Sequence, residues 1–397
     1  MRSTGSLGIA ALLALTSMAT AIGIDGTLPA MPAMVEGLGS TRTLVQLSLS
    51  MFMVGVAVGQ PVPGPLSDRF GRKPVIIGGL LVTGVAALGC ALADTVEALI
   101  AFRFVHGMAA ASGFIVARAV IRDRYERGDA ARVLSLLLFF FCFGPLIAPI
   151  VAAHLTVSFG WNAMFLFIAI YSALVAILFA LAFRETLERP DRDALRIAPM
   201  LRNFAEISRS VAFWAYTACA AGSYGILFSF LAGSPHVIIT FFGETETAYA
   251  YMFAGCMIGS MAGMLAGARL VGRFGVDRLL QWGVWSASLF GLALALPSWA
   301  GIHHWFAVIG PMFFCMFAFS LIYPQTVAGA LQPFPRIAGA ASSLIGFVQQ
   351  IAGAAIGMAV AALTTDGTQG ALAHGVLFSS LFALVAYEFV VRRHRTV

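Results

Sequence analysis

Apolar residues along this chain come in long, nearly unbroken runs, with polar residues gathered in the short gaps between them. A helix needs about 20 apolar residues to cross a hydrocarbon core of about 30 Å. By that measure the pattern predicts twelve spans: 8–34, 44–66, 74–92, 98–120, 134–155, 162–183, 211–233, 247–270, 277–297, 303–326, 338–362 and 370–391. In lipid every backbone N–H and C=O must be paired within the structure, which leaves helices or a closed barrel. Runs this long and continuous are not barrel strands, so the predicted class is an all-α membrane protein.

The gaps carry the topology. With the N-terminus inside, inner loops hold Arg69, Arg72, Lys73, Arg122, Arg124, Arg127, Arg132, the group from Arg184 to Arg209, Arg269, Arg273, Arg278, Arg336 and the Arg392-Arg393 tail, whereas the outer loops hold Arg42. This bias predicts both termini in the cytoplasm of a bacterial inner membrane and supports an even number of spans. The longest polar stretch, 184–210, reads as a cytoplasmic linker between two six-helix halves, 1–183 and 211–397. Arg69-Phe70-Gly71 after span two recurs as Arg273-Phe274-Gly275 after span eight, 204 residues on, as expected of a transporter built from repeats. An N-terminal signal peptide ending at Ala19-Thr20-Ala21 is the alternative for span one, but the apolar run continues to Met34, and cleavage would leave an odd count.

Composition agrees: of 397 residues 60% are hydrophobic and 11% charged, and the mean hydropathy is +0.90. The net charge of +6 would suggest nucleic acid in a soluble protein; here it sits in loops and reports topology. The five cysteines, Cys90, Cys142, Cys219, Cys256 and Cys315, fall inside apolar runs without metal-ligand spacing and read as small hydrophobes.

Two ionisable residues stand out at depth, Asp25 in span one and Arg103 in span four. Charges inside a membrane are costly and mark function by default. Asp25 lies roughly nine residues from the outer end and Arg103 roughly five, so the two differ by about one helical turn and could meet. Burial favours the neutral acid and a neighbouring arginine the carboxylate, a competition that suits a proton switch; the structural alternative is a permanent ion pair locking the two helices. Gly107, Ala110 and Ala111 beside Arg103 form a small-residue stripe for close packing. Gly144-Pro145 and Pro149 interrupt the ladder of span five, either as a packing kink or as a bend with a conformational role. The first inner loop, Gly64-Pro65-Leu66-Ser67-Asp68-Arg69-Phe70-Gly71-Arg72-Lys73-Pro74, is a charged latch able to pair with a neighbouring helix end such as Ile121-Arg122-Asp123. No Walker pattern, serine elbow, zinc pattern or paired-carboxylate spacing is found, so no enzyme activity, cofactor or metal is expected.

These motifs carry a family likeness. Gly64 to Pro74 resembles the signature loop of the major facilitator superfamily, Arg103-Phe104-Val105-His106-Gly107 its span-four arginine motif, and Gly144-Pro145 the span-five motif of its antiporters. Within the superfamily the chain resembles the bicyclomycin and chloramphenicol/florfenicol resistance exporters of the Bcr/CflA type. That closer likeness rests on Asp25-Gly26-Thr27-Leu28-Pro29-Ala30-Met31-Pro32, Gly233-Ser234-Pro235, Tyr323-Pro324-Gln325 and Ala338-Gly339-Ala340-Ala341-Ser342. The resemblance implies a two-lobed fold with a central cavity and proton-driven efflux of small drugs by alternating access, with Asp25 as the acid of span one and Arg103 as its electrostatic partner. His106 stands where glutamine is common and Asn162 where arginine is common, which leaves the local pairing open, including a place for His106 in the proton path.

For the drug, Asp25, Tyr224, Phe228, Gln325 and Gln349 are candidate contacts by depth and chemistry, against ordinary core or lipid-facing packing. The expected partners are a neutral, phenicol-like drug, protons and the lipid bilayer, with no nucleic acid, and the chain is expected to act as a monomer. The alternatives are a carrier of an amino acid, sugar or nucleoside, which would want more buried polar anchors, and a membrane sensor that transports nothing.

Overall fold

The computed structural model describes residues 3–187, 190–191, 194–195, 197–364 and 368–391. Arg189, Arg192, Arg196 and the Arg392-Arg393 tail of the basic pattern lie outside them. The chain forms two compact units that divide between Ile197 and Ala198, and among the described residues every regular element is a helix.

In the first unit, α1 (Ser3–Asp25) and the short α2 (Met31–Gly37) occupy span one. They are followed by α3 (Arg42–Gly59), α4 (Pro63–Phe70), α5 (Arg72–Ala91), α6 (Val96–Arg124), α7 (Arg127–Phe141), α8 (Phe143–Phe159) and α9 (Asn162–Ala182). In the second, α10 (Ile197–Ser208) begins at the boundary and leads into α11 (Val211–Pro235), which runs on through a π-helical turn, His236–Phe241. Then come α12 (Glu246–Trp299), α13 (Trp305–Leu331), α14 (Ala338–Leu363) and α15 (Gly370–Ala386).

Eleven helical stretches among the described residues are long and apolar enough to cross a membrane. One of them crosses twice. The 54 residues of α12 would make a straight rod of about 80 Å, far longer than the hydrocarbon core, but Gly275 at φ 80°, ψ 163° folds the helix into two arms. That conformation is open to glycine and strained for any other residue. Twelve crossings result.

Span one departs from the continuous helix expected over 8–34. Pro29 has no N–H to give the Asp25 carbonyl and its ring would clash there, so α1 stops at Asp25 and the chain turns through Gly26–Ala30 before α2 starts, with Pro32 in its first turn. Span five breaks for the same reason. Pro145 cannot donate to Phe141, and the helix parts at Cys142 between α7 and α8, while Pro149 lies within α8 without ending it.

Lipid tails are as apolar as the side chains, so helix association rests on close packing rather than on the hydrophobic effect. The glycines show where. A Cβ on Gly55 or Gly59 of α3 would strike the backbone carbonyls of Phe104 or Met108 on α6, and one on Gly107 would strike the carbonyl of Phe52. In the second unit Gly259 and Gly263 of α12 meet the carbonyls of Phe313 and Phe317 on α13 in the same way. Gly55 to Gly259, Gly59 to Gly263 and Gly71 to Gly275 share the 204-residue offset, so the repeat in the sequence is a repeat of structure. Further in, Leu13, Ile76, Leu80, Val120, Leu137 and Phe179 join α1, α5, α6, α7 and α9 into one core.

Candidate functional site: a broken helix, its arginine cap and a charged latch

Where α1 ends at Asp25, its last four carbonyls depend on donors beyond the helix. Three are satisfied locally: Gly26 N–H donates to Ile22 O at 3.1 Å, Thr27 N–H to Ile24 O at 3.4 Å and Leu28 N–H to Asp25 O at 3.3 Å, and the Thr27 hydroxyl also reaches Ile24 O at 3.0 Å. The fourth, Gly23 O, accepts from Arg103 Nη1 at 2.8 Å. The arginine of span four thus caps the broken helix of span one. Its positive charge sits at the C-terminal end of α1, where the helix dipole favours a cation. A Cβ on Gly26 would come 2.6 Å from the Ile22 carbonyl and also strike Met164 of α9, so the turn requires glycine there.

Asp25 and Arg103, which the sequence allowed to meet, are not joined by an ion pair among the described residues of this structure. Arg103, 1% exposed, is held by the carbonyl two residues before Asp25. Its guanidinium lies over the Phe52 ring at 4.2 Å and faces Phe165 at 5.8 Å. His106 Nδ1 is 3.4 Å from Arg103 Nη1 and, facing a donor, serves as the acceptor. Arg103 Nη2 and His106 Nε2 are buried with no hydrogen-bond partner. Asp25 itself is 7% exposed, at the C-terminal end of a helix whose dipole opposes negative charge. Gly144 brings α8 against α1 one turn earlier, where a Cβ would come within 3.0 Å of Ala21. The break in span five thus lies beside the acid-bearing part of span one.

The latch residues gather where α4, α5 and α6 of the same unit meet. Arg72, buried to 2% exposure, binds Asp68 Oδ1 through Nη1 at 2.6 Å and Asp123 Oδ2 through Nε at 2.8 Å, and its Nη1 also donates to Ser67 Oγ at 2.6 Å. Gly71 at φ 103° turns the chain from α4 into α5. Arg69 takes no part and lies over Phe70, and a Cβ on Gly64 would meet nothing.

Sequence reasoning missed Glu185. Gly71 caps α5 without a side chain, and the Glu185 carboxylate takes over that task, accepting from Arg72 N–H at 3.1 Å and Lys73 N–H at 2.9 Å. It also accepts from Thr186 and Leu187 N–H at 2.8 and 2.9 Å, and Asp191 N–H donates to Asp68 O at 3.0 Å. Desolvation alone would raise the Glu185 pKa, yet the four backbone donors hold it below the usual carboxylate value. The signal was an acid directly after span six, in a stretch read as linker.

In the second unit, Tyr224 and Phe228 lie together, ring centroids 5.8 Å apart. Phe319 and Tyr323 of α13, which the depth argument did not select, complete the group at 5.9 and 5.4 Å from Tyr224. Gln349 is buried on α14. Gln325, also buried, is two residues from Tyr323 and so on another face of α13.

Comparison with known proteins places this geometry. The "Bicyclomycin resistance protein homolog" of Haemophilus influenzae is 29% identical over 96% of both chains, and the "Multidrug resistance protein D" of Escherichia coli is 29% identical over 94% of this chain and 92% of that one. The "Chloramphenicol resistance protein" of Pseudomonas aeruginosa is 26% identical over 84% of this chain and 78% of its own length. Among solved structures, a D-xylose-proton symporter matches with a TM-score of 0.74 at 16% identity, covering 97% of each chain, a likeness of fold alone. The sequence model of the Major Facilitator Superfamily matches residues 13–358. A chain of twelve crossings, with a 204-residue repeat and a Gly71 turn locked by Asp68, Arg72 and Asp123, thus belongs to the major facilitator superfamily of membrane transporters.

Proposed function

We propose that this transporter exports small, uncharged drugs in exchange for protons, with Asp25 as the proton carrier. The observation that carries the reading is the position of Asp25. It is the one carboxylate well inside a span among the described residues, placed at a helix break whose neighbouring carbonyl is capped by a buried arginine. An acid so placed is a functional site by default, and the names of the bicyclomycin, chloramphenicol and multidrug resistance relatives support drugs as the cargo.

In this reading Asp68, Arg72 and Asp123 govern conformational switching in the bacterial inner membrane, the α7–α8 bend at Gly144-Pro145 moves with it, both termini face the cytoplasm and a monomer suffices. Tyr224, Phe228, Gln325 and Gln349 are the drug contacts of the second half. Proteoliposomes loaded with the purified protein provide the test. Chloramphenicol is expected to trigger proton movement with wild-type protein, and Asp25→Asn is expected to abolish uphill export at normal membrane levels. Unchanged uphill export by Asp25→Asn would refute the assignment.

A further inference from the structure

Taking the export of uncharged drugs as given, we propose that α11, α13 and α14 form a subsite for an aromatic molecule bearing a carbonyl or nitro oxygen. Tyr224 and Tyr323 supply the ring faces and the Gln349 amide supplies the hydrogen-bond donor.

Three observations converge. Tyr224 has Phe228, Phe319 and Tyr323 around it, and Phe319 and Tyr323 are stacked at 5.8 Å and 10°. Tyr224, Phe319 and Tyr323 remain partly exposed, so their faces are not consumed by packing. The Tyr224 and Tyr323 rings lie 5.4 Å apart, and each carries a hydroxyl able to donate to an acceptor.

The second observation is Gln349 Nε2, buried on a side chain 2% exposed and without a hydrogen-bond partner. Leaving such a group unpaired is costly, and a polar side chain kept there wants an acceptor from outside the fold. Its level follows from register. A Cβ on Gly353 would run into the Phe228 ring, which sets Gly353 of α14 against Phe228 of α11. Gln349 lies one turn before Gly353, and Tyr224 one turn before Phe228. Both helices are odd-numbered spans and run the same way, so the amide stands level with the tyrosine.

The third is charge. None of the three helices contains an aspartate, glutamate, lysine, arginine or histidine. A charged ligand would find no counter-ion there, whereas an uncharged aromatic ring with an acceptor oxygen would satisfy the donors and bury its faces.

Binding of chloramphenicol, a neutral nitroaromatic with an amide carbonyl, to the purified full chain tests this, alongside tetraphenylphosphonium as an aromatic cation. Gln349→Leu keeps the volume and removes the donor. It is expected to weaken chloramphenicol binding about tenfold without lowering thermal stability. Tyr323→Phe keeps the ring and removes the hydroxyl, and is expected to weaken it by a smaller factor; this variant decides the matter if Gln349→Leu fails to fold. Chloramphenicol is expected to bind more tightly than tetraphenylphosphonium to wild-type protein. Unchanged chloramphenicol binding in both variants, with wild-type protein still releasing protons on drug addition, would overturn the subsite and leave drug export standing. Wild-type protein that neither binds chloramphenicol nor moves protons with it would overturn both.

Discussion

Glu185→Ala isolates the tie between the segment after α9 and the turn from α4 into α5. The carboxylate accepts the first two N–H groups of α5, and loss of a helix-capping acceptor costs about 0.5–2 kcal/mol. A negative charge at a helix N-terminus adds about 0.3–1 kcal/mol, the lower part applying to an exposed group. Glu185 is exposed, so the expected loss is about 1–2 kcal/mol, and Glu185→Gln, which keeps one acceptor oxygen, should fall between the two. Thermal unfolding of the detergent-purified transporter as a function of pH measures it. Because the folded pKa is depressed, the stabilisation is fully present above the ordinary glutamate value of 4.5 and disappears as pH falls through the lower folded value. Wild type and variant should therefore differ at neutral pH and converge in acid. A gap that persists unchanged at low pH, or an alanine variant as stable as wild type at pH 7, would refute the capping account.

Three further outcomes are expected. Arg103→Ala strips the cap from Gly23 O and should shift the pH dependence of chloramphenicol binding while the protein still reaches the membrane; an unmoved pH profile would separate Arg103 from proton coupling. Gly71→Ala combines backbone strain of about 1–3 kcal/mol with a Cβ 2.6 Å from Glu185 Oε2, whereas Gly275→Ala meets strain alone, so the first should destabilise more, with the excess vanishing in a Glu185→Ala background in thermal melts. Exchange of one proton for a neutral drug moves one net charge inward, so a membrane potential without a pH gradient should drive export by about 2.3 kcal/mol per 100 mV; indifference to the potential in liposomes, or efficient pumping of a dication, would exclude one-proton coupling through Asp25.

The crossings were legible in the sequence because apolar length and the placement of arginines follow directly from the bilayer. The burial of Asp25 was legible because the acid stands within an apolar run. The break behind it was not, although Gly26 and Pro29 were in plain view: hydropathy runs unbroken to Met34 and is blind to which N–H a proline removes. Arg103 was expected to seek the opposite charge and instead takes a main-chain carbonyl, a partner no side-chain pattern announces. Glu185 reaches α5 across more than a hundred residues, and Phe319 joins Tyr224 only through the packing of two helices, so neither contact leaves a local trace.

The 204-residue offset that lays Gly71 on Gly275 also sets Gly272 in the place of Asp68 and Val276 in the place of Arg72. Both copies keep a glycine-only turn, but at these two aligned positions the first carries Asp68 and Arg72, which pair with each other, and the second carries uncharged residues. Dissolved salt screens an ion pair and leaves a contact between uncharged groups largely untouched. The same change of ionic strength therefore meets charge at positions 68 and 72 of the N-terminal copy and none at the aligned positions 272 and 276.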